Sequence, residues 1–288
     1  MVYKPSLGEK VFNVFNICIM AIMIFICLYP FWYCIMCSLS RHADTASLML
    51  WPKGFTLATY KDVLSRQDIQ TGYLVTIFIV VVGTIFNLIM TTIAAFLLTR
   101  RNFAIRNFLT YMMLFTMYFG GDMIPTYIVY TQILGMEGNI LVLIIPGAIS
   151  VYNCIVMRTN FDAIPTSLEE SVKVDGGNDM HVLWHIIIPL SKAVISVMVL
   201  FYGVGHWNAW FPASLYLNKT DIKPLQLRLR EILILSQTGA EGDAGDVATM
   251  AENIKFATII VATLPILLVY PFIQKYFVKG VMIGAVKG

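Results

Sequence analysis

The sequence predicts an all-α integral membrane protein, and three observations carry that prediction. Hydrophobic residues make up 58% of the 288 and charged residues only 13%, against roughly 25% charged in a soluble domain. Mean hydropathy is +0.74. The charges are clustered rather than spread, which leaves uncharged runs at 11–40, 69–99, 107–121, 138–157, 193–218 and 256–274. Most of these runs match the roughly 20 apolar residues that cross a bilayer as a helix.

Six transmembrane helices follow, at about 12–38, 71–99, 107–121, 139–157, 190–217 and 256–276. The first run far exceeds the roughly 7–15 residue core of a cleaved signal peptide, so it stays as a helix. The third is the shortest, because Arg106 and Asp122 bracket it. It spans if Arg106 snorkels and the helix runs a little past each charge. No period repeats and no segment is low in complexity, so residues 1–288 read as one transmembrane domain. Lys and Arg concentrate on the cytoplasmic side of membrane proteins. With both termini inside, the inner segments hold 11 basic residues in 68 positions and the outer ones 9 in 88. The bias is modest and favours this orientation. The longest polar excursions are then an inside loop at 158–192 and outside loops at 38–70 and 218–255.

The five cysteines, Cys18, Cys27, Cys34, Cys37 and Cys154, lie in or beside apolar runs and share no ligand spacing with histidines, so they read as buried free thiols and no metal site is expected. His181, His185 and His206 likewise read as structural or surface residues. A net charge of +3, with no basic tract interleaved with aromatics, argues against a nucleic-acid partner.

The inside loop carries the most specific pattern. Ser167 and Glu170 form the spacing of a capping box, with Pro165 upstream, and Gly176 and Gly177 supply a backbone that stops a helix. The result is a helix of about two turns, roughly 12 Å long, on the cytoplasmic face. A short exposed helix with a defined start and stop suits docking into a partner's groove.

Here the chain resembles the membrane subunits of bacterial ABC importers, whose cytoplasmic signature is E-A-A, three residues, Gly, nine residues, then I-x-L-P. Glu170, Gly176, Ile186, Ile188 and Pro189 stand at that spacing, with Ser171 and Val172 for the two alanines and Ile188 for the leucine. The resemblance extends to the maltose-permease-like, complex-saccharide branch through Ile124-Pro125-Thr126-Tyr127, the stretch from Gly203 to Trp210, Pro224-Leu225-Gln226-Leu227 and the terminal stretch from Lys279 to Gly288. It implies a permease in the bacterial inner membrane that carries a carbohydrate, an oligosaccharide, received from an extracellular binding protein. The implied partners are a second homologous permease and two ATPase subunits, which would bind the ATP and Mg; this chain would hold no cofactor. The loop 158–189 becomes a coupling loop lying between helices four and five. Glu169, Glu170, Lys173, Asp175, Gly176 and Pro189 become ATPase-coupling residues, Glu170 doubling as a cap and Gly176 giving close backbone approach.

For the substrate pathway the candidates are Asn153, Trp207, Asn208, Trp210 and Asp122. Polar groups at membrane depth face partner helices or a hydrated cavity. Asn208 between two tryptophans offers an amide for hydroxyls beside faces that stack on sugar rings, although Trp also belongs to interfacial belts. Asn87 reads as interhelical glue. Asp122 follows Gly120 and Gly121 and reads as a solvated helix-end charge, or as a carboxylate at the cavity mouth. In the outside loop 218–255, Gly239, Gly242 and Gly245 mark a mobile tip expected to touch the binding protein.

Other functions compete. No G-x-x-x-x-G-K-[ST] occurs, so nucleotide would be supplied by a partner. A secondary transporter of a small polar solute would want intramembrane acids or an inverted repeat. An intramembrane enzyme would want a nucleophilic, paired-acid or metal constellation at membrane depth. The long spans carry neither. An ABC permease for a non-sugar substrate stays open.

Overall fold

A computed structural model describes residues 6–41, 48–239, 253–269 and 271. Among them the chain is helical, with a lone bridge between Ser40 and Phe55 and no strand. The helices are α1 (Leu7–Ser38), α2 (Ala58–Ser65), α3 (Gln67–Thr99), α4 (Arg106–Tyr118), α5 (Met123–Ile128), α6 (Val151–Asp162), α7 (Thr166–Val174), α8 (Asp179–Val182), α9 (Ile188–Leu190), α10 (Lys192–Trp207), α11 (Trp210–Tyr216) and α12 (Leu225–Gly239). A further apolar helix, α13, covers Asn253–Val269.

The chain divides into two compact units, Met1–Arg66 with Glu231–Thr263, and Gln67–Arg230 with Leu264–Gly288. In the first unit α1 starts on a reciprocal cap, Glu9 N–H donating to Ser6 Oγ and Ser6 N–H to Glu9 Oε2 at 2.7 Å. Its most apolar 18-residue window is 0% buried within the protein. A surface that apolar is compatible only with lipid or a partner helix as its solvent. At the other end of α1, Met36, Cys37, Met49 and Phe256 form a small core, and the Asn253 amide donates to Arg41 O at 2.9 Å.

The second unit is built on α3. Its buried positions, including Gly72, Thr76, Ile79, Gly83, Asn87, Thr91, Ala95 and Leu98, recur at helical spacing and are mostly small, which lets α6 and α10 approach closely. A Cβ on Gly83 would lie 2.6 Å from His206 Nε2, so any larger residue at that crossing would have to displace the His206 ring. One core gathers Phe96, Met157, Phe161, Leu183, Ile187 and Met198. A second gathers Ile79, Leu143, Ile144, Ala213, Tyr216 and Leu217.

Among the described residues two helices, α1 and α3, are long and apolar enough to cross a membrane, with a third if Asp179–Leu190 and Lys192–Trp207, which meet at a bend of 81°, make one span. Several expected spans are interrupted. Over 139–157 the chain makes a 3-10 turn at Ile140–Leu143, runs irregularly through 144–150 and re-enters helix at Val151. Pro146-Gly147 is a turn-forming pair inside the apolar run, and it wins over hydrophobicity. Over 190–217 the helix breaks at Asn208 and Ala209 before α11. The expected helix 107–121 stops at Tyr118, just before Gly120 and Gly121.

Candidate functional site

The loop singled out in the sequence folds as a defined unit. Pro165, with φ −58° and ψ 130°, sits at the N-cap of α7 without a side-chain cap. Ser167 therefore lies inside the helix, and the expected Ser167–Glu170 capping box does not form: proline's fixed φ already presets the entry, so the helix starts at Thr166. The stop is as the glycines suggest. Gly176 has φ +80°, its N–H donates to Lys173 O at 3.1 Å, and Gly177 N–H donates to Val172 O at 2.8 Å. This pair of bonds is a Schellman motif. Gly177 is constrained more tightly than Gly176, because a Cβ there would lie 2.5 Å from Val172 Cγ1 and 2.8 Å from Val172 O.

The two glutamates of α7 differ in environment. Glu169 is half-buried and takes both terminal nitrogens of Arg100, at the end of α3, onto its two oxygens, one pair at 2.9 Å. Glu170 is exposed and its side chain makes no hydrogen bond or ion pair among the described residues. Lys173 bridges to Asp179 at 3.2 Å across the glycine stop, and Asp175 is the exposed C-cap. A polar cleft of about 420 Å³ lies between the end of α3 and α7, reaching from Thr99 to Glu170 and Lys173. Leu168, Val174 and Met180 are exposed, Val174 at 86%. Pro189 is in α9, after a π-turn at Leu183–Ile187, where the chain swings into α10. There Ser191 N–H donates to Ile187 O at 3.0 Å.

Within the spanning part, two polar chains tie α3, α10 and the irregular segment together. Asn87 Nδ2 donates to Gly147 O, and Asn87 Oδ1 faces His206 Nε2 at 2.6 Å. Since the amide oxygen only accepts, His206 carries its proton on Nε2. Ser150 N–H donates to the Tyr202 hydroxyl at 3.1 Å, and that hydroxyl pairs with Thr91 Oγ1 at 2.6 Å. Non-helical backbone at this depth is thus satisfied by side chains from its neighbours. Asn87 is glue, and His206 is structural.

Of the expected pathway residues, the structure brings three to one place. Trp207, Asn208 and Trp210 flank the break between α10 and α11. Trp207 is buried, meets Tyr73 edge-on at 6.4 Å and lines an apolar groove of about 400 Å³ with Thr84, Leu88 and Gly203. Asn208 is exposed and its Nδ2 donates back to Val204 O at 3.0 Å, closing the end of α10. Trp210 carries the Arg230 guanidinium over its ring at 3.9 Å. Arg230 was not singled out in the sequence; its position two residues beyond Arg228 on α12 is the signal that could have found it. Asn153 is buried on α6, its N–H capped by Ser150 Oγ at 3.4 Å. Asp122 is exposed at the start of α5, where its carbonyl, not its carboxylate, accepts from Thr126. Gly239 ends α12, and Gly242 and Gly245 lie outside the described residues. Among the described residues no group of His, Cys, Asp and Glu could hold a metal ion, and all five cysteines are free. Cys18 and Cys27 are exposed, not buried as expected, because they lie on the lipid-compatible surface of α1.

Comparison with known proteins places this geometry. Residues 90–283 match the family described as binding-protein-dependent transport system inner membrane component. The chain is 44% identical to Protein LplC of Bacillus subtilis over 283 residues, covering 97% of this chain and 96% of that one. It is 40% identical to the polygalacturonan/rhamnogalacturonan transport system permease protein YtcP of the same organism, covering 91% and 93%. A bacterial ABC transporter involved in the import of the acidic polysaccharide alginate superposes with a TM-score of 0.86 at 28% identity, covering 96% of this chain and all of the matched chain. A strongly apolar chain, helical and without strands among its described residues, and matched over most of its length to a transport family, is a transport subunit rather than an enzyme, and it belongs to the family of binding-protein-dependent transport system inner membrane components.

Proposed function

We propose that this chain is one permease of an ATP-driven importer that carries an acidic oligosaccharide inward across the cell membrane. The observation that carries the reading is α7, a short helix fixed at both ends that presents Leu168, Val174 and Glu170 outward. A short helix with exposed apolar and acidic side chains, on a loop outside the lipid, suits a groove on an ATPase subunit. The reading includes six spans with both termini cytoplasmic, a second permease, two ATPase subunits that bind ATP and Mg, and an extracellular binding protein. Expected spans broken in the structure count as spans here, since irregular backbone at membrane depth is tolerated where protein buries it. Carbohydrate as cargo is supported by the relatives' names, and a carboxylate-bearing one by YtcP and the alginate importer. Arg230 over Trp210 offers a cation beside a ring for such a sugar.

The test is reconstitution of the complete complex in vesicles. ATP-dependent uptake of oligosaccharides released from polygalacturonan is expected, lost when the ATPase subunits are omitted. Gly176→Trp, which forces a large residue onto a left-handed backbone at a cost of order 1–3 kcal/mol, should lower ATPase co-purification and uptake together. Normal ATPase co-purification and normal transport with that variant would refute α7 as the docking element.

A further inference from the structure

Arg100 is held from every side. Its guanidinium plane lies 4.3 Å from the centroid of the Phe96 ring, one turn back on α3. Its Nε–H donates to Thr99 Oγ1 at 3.1 Å, and its two terminal nitrogens meet the two oxygens of Glu169. Both side chains of the pair are only 15–17% exposed. Phe96 in turn is part of the core that joins α3 to Met157, Phe161 and Leu183. A planar fork stacked on its own helix has almost no freedom to follow Glu169 without moving α3. The ion pair that Lys173 of α7 makes with Asp179 is more than half exposed at each partner and adds little.

We infer that Arg100 and Glu169 form a strut that transmits displacement of α7 to the cytoplasmic end of α3, making both positioning residues for the coupling of ATP hydrolysis to the transport path. The inference rests on the docking role of α7 proposed above. It assigns the two adjacent glutamates separate tasks: Glu170 faces outward to the partner, and Glu169 faces inward to the permease. Lysine at position 100 would keep the charge and lose the fork, so it would transmit poorly. Glutamine at 169 would keep size and hydrogen-bonding atoms while removing the charge that fixes both nitrogens.

The experiment uses the complete complex purified through this chain, with hydrogen–deuterium exchange measured on residues 95–105 and 166–177, with and without vanadate-trapped nucleotide. In the wild type both segments should change exchange on trapping. In Glu169→Gln and Arg100→Lys the complex should assemble and the α7 segment should still respond. The response at 95–105 should be lost, and nucleotide-linked coupling should fall roughly tenfold, within the ordinary range for linked sites. The exchanged pair Arg100→Glu with Glu169→Arg should recover the 95–105 response above either single change. A full response at 95–105 in both single variants would overturn the strut while leaving α7 docking intact. No response of α7 in the wild type would instead overturn the docking reading beneath it. Should Arg100→Lys fail to assemble, Glu169→Gln decides alone, because it leaves Arg100 stacked on Phe96.

Discussion

Asn87 shows what one polar side chain does at membrane depth. It is fully buried, donates to Gly147 O and accepts from His206, so removing it strands a carbonyl and an imidazole N–H together. Interhelical hydrogen bonds in membranes average about 0.6 kcal/mol and reach about 1–2. Asn87→Ala is therefore expected to destabilise the protein by about 1–3 kcal/mol, read from denaturant unfolding in detergent or bilayer. A change under a few tenths of a kcal/mol would show that water or a rearranged partner replaces the amide. Gly177 makes a second residue-scale case. Alanine there meets the backbone oxygen of Val172 at 2.8 Å, which cannot swing aside, whereas alanine at Gly176 meets nothing within 4 Å and incurs only the φ strain. Gly177→Ala should thus impair ATPase co-purification more than Gly176→Ala; the reverse order would mean that the helix stop is set by conformation alone.

At the scale of elements, the break between α10 and α11 is the feature to test. Trp207, Asn208 and Trp210 surround it, and replacing Asn208 and Trp210 by alanine together should reduce uptake of oligogalacturonides more than it reduces the amount of complex in the membrane. If uptake and abundance fall in proportion, those residues serve the helix end only, as the Asn208 bond to Val204 O already does. Helices and their breaks were unequally legible in the sequence. Long uncharged runs announced α1 and α3, and Gly176-Gly177 announced the end of α7, because each depends on local chemistry. The interruption at 144–150 was hidden, although Pro146-Gly147 marked it, since an apolar run of that length reads as a span until the side chains that satisfy its backbone are known. Those side chains, Asn87 and Tyr202, lie 60 and 52 residues away from their acceptor and donor. The Arg100–Glu169 pair, separated by 69 residues, was invisible for the same reason, and the sequence offered Glu169 only as one more member of the docking set.

For the whole molecule, orientation is the claim on which the proposed roles depend. With the proposed orientation, a cysteine-free version with a single cysteine at Asp221 should react with a membrane-impermeant maleimide in intact cells, because that turn would then lie outside. A single cysteine at Ser171, exposed on α7, should react only after the cells are permeabilised. Opposite labelling would place α7 away from any cytoplasmic ATPase and remove the proposed mechanism at its root.

The irregular segment at 144–150 also says something about how the protein is made. Lipid offers no hydrogen bonds, so an unwound stretch can exist in the bilayer only beside groups that take the place of water. Two of those groups, His206 through Asn87 and Tyr202, belong to α10, which leaves the ribosome well after residues 139–157. Gly147 O can be met by Asn87 of α3, which is already made, whereas the Ser150 N–H must wait for Tyr202 of α10. The full pairing of the unwound stretch is therefore expected only once α10 has been made.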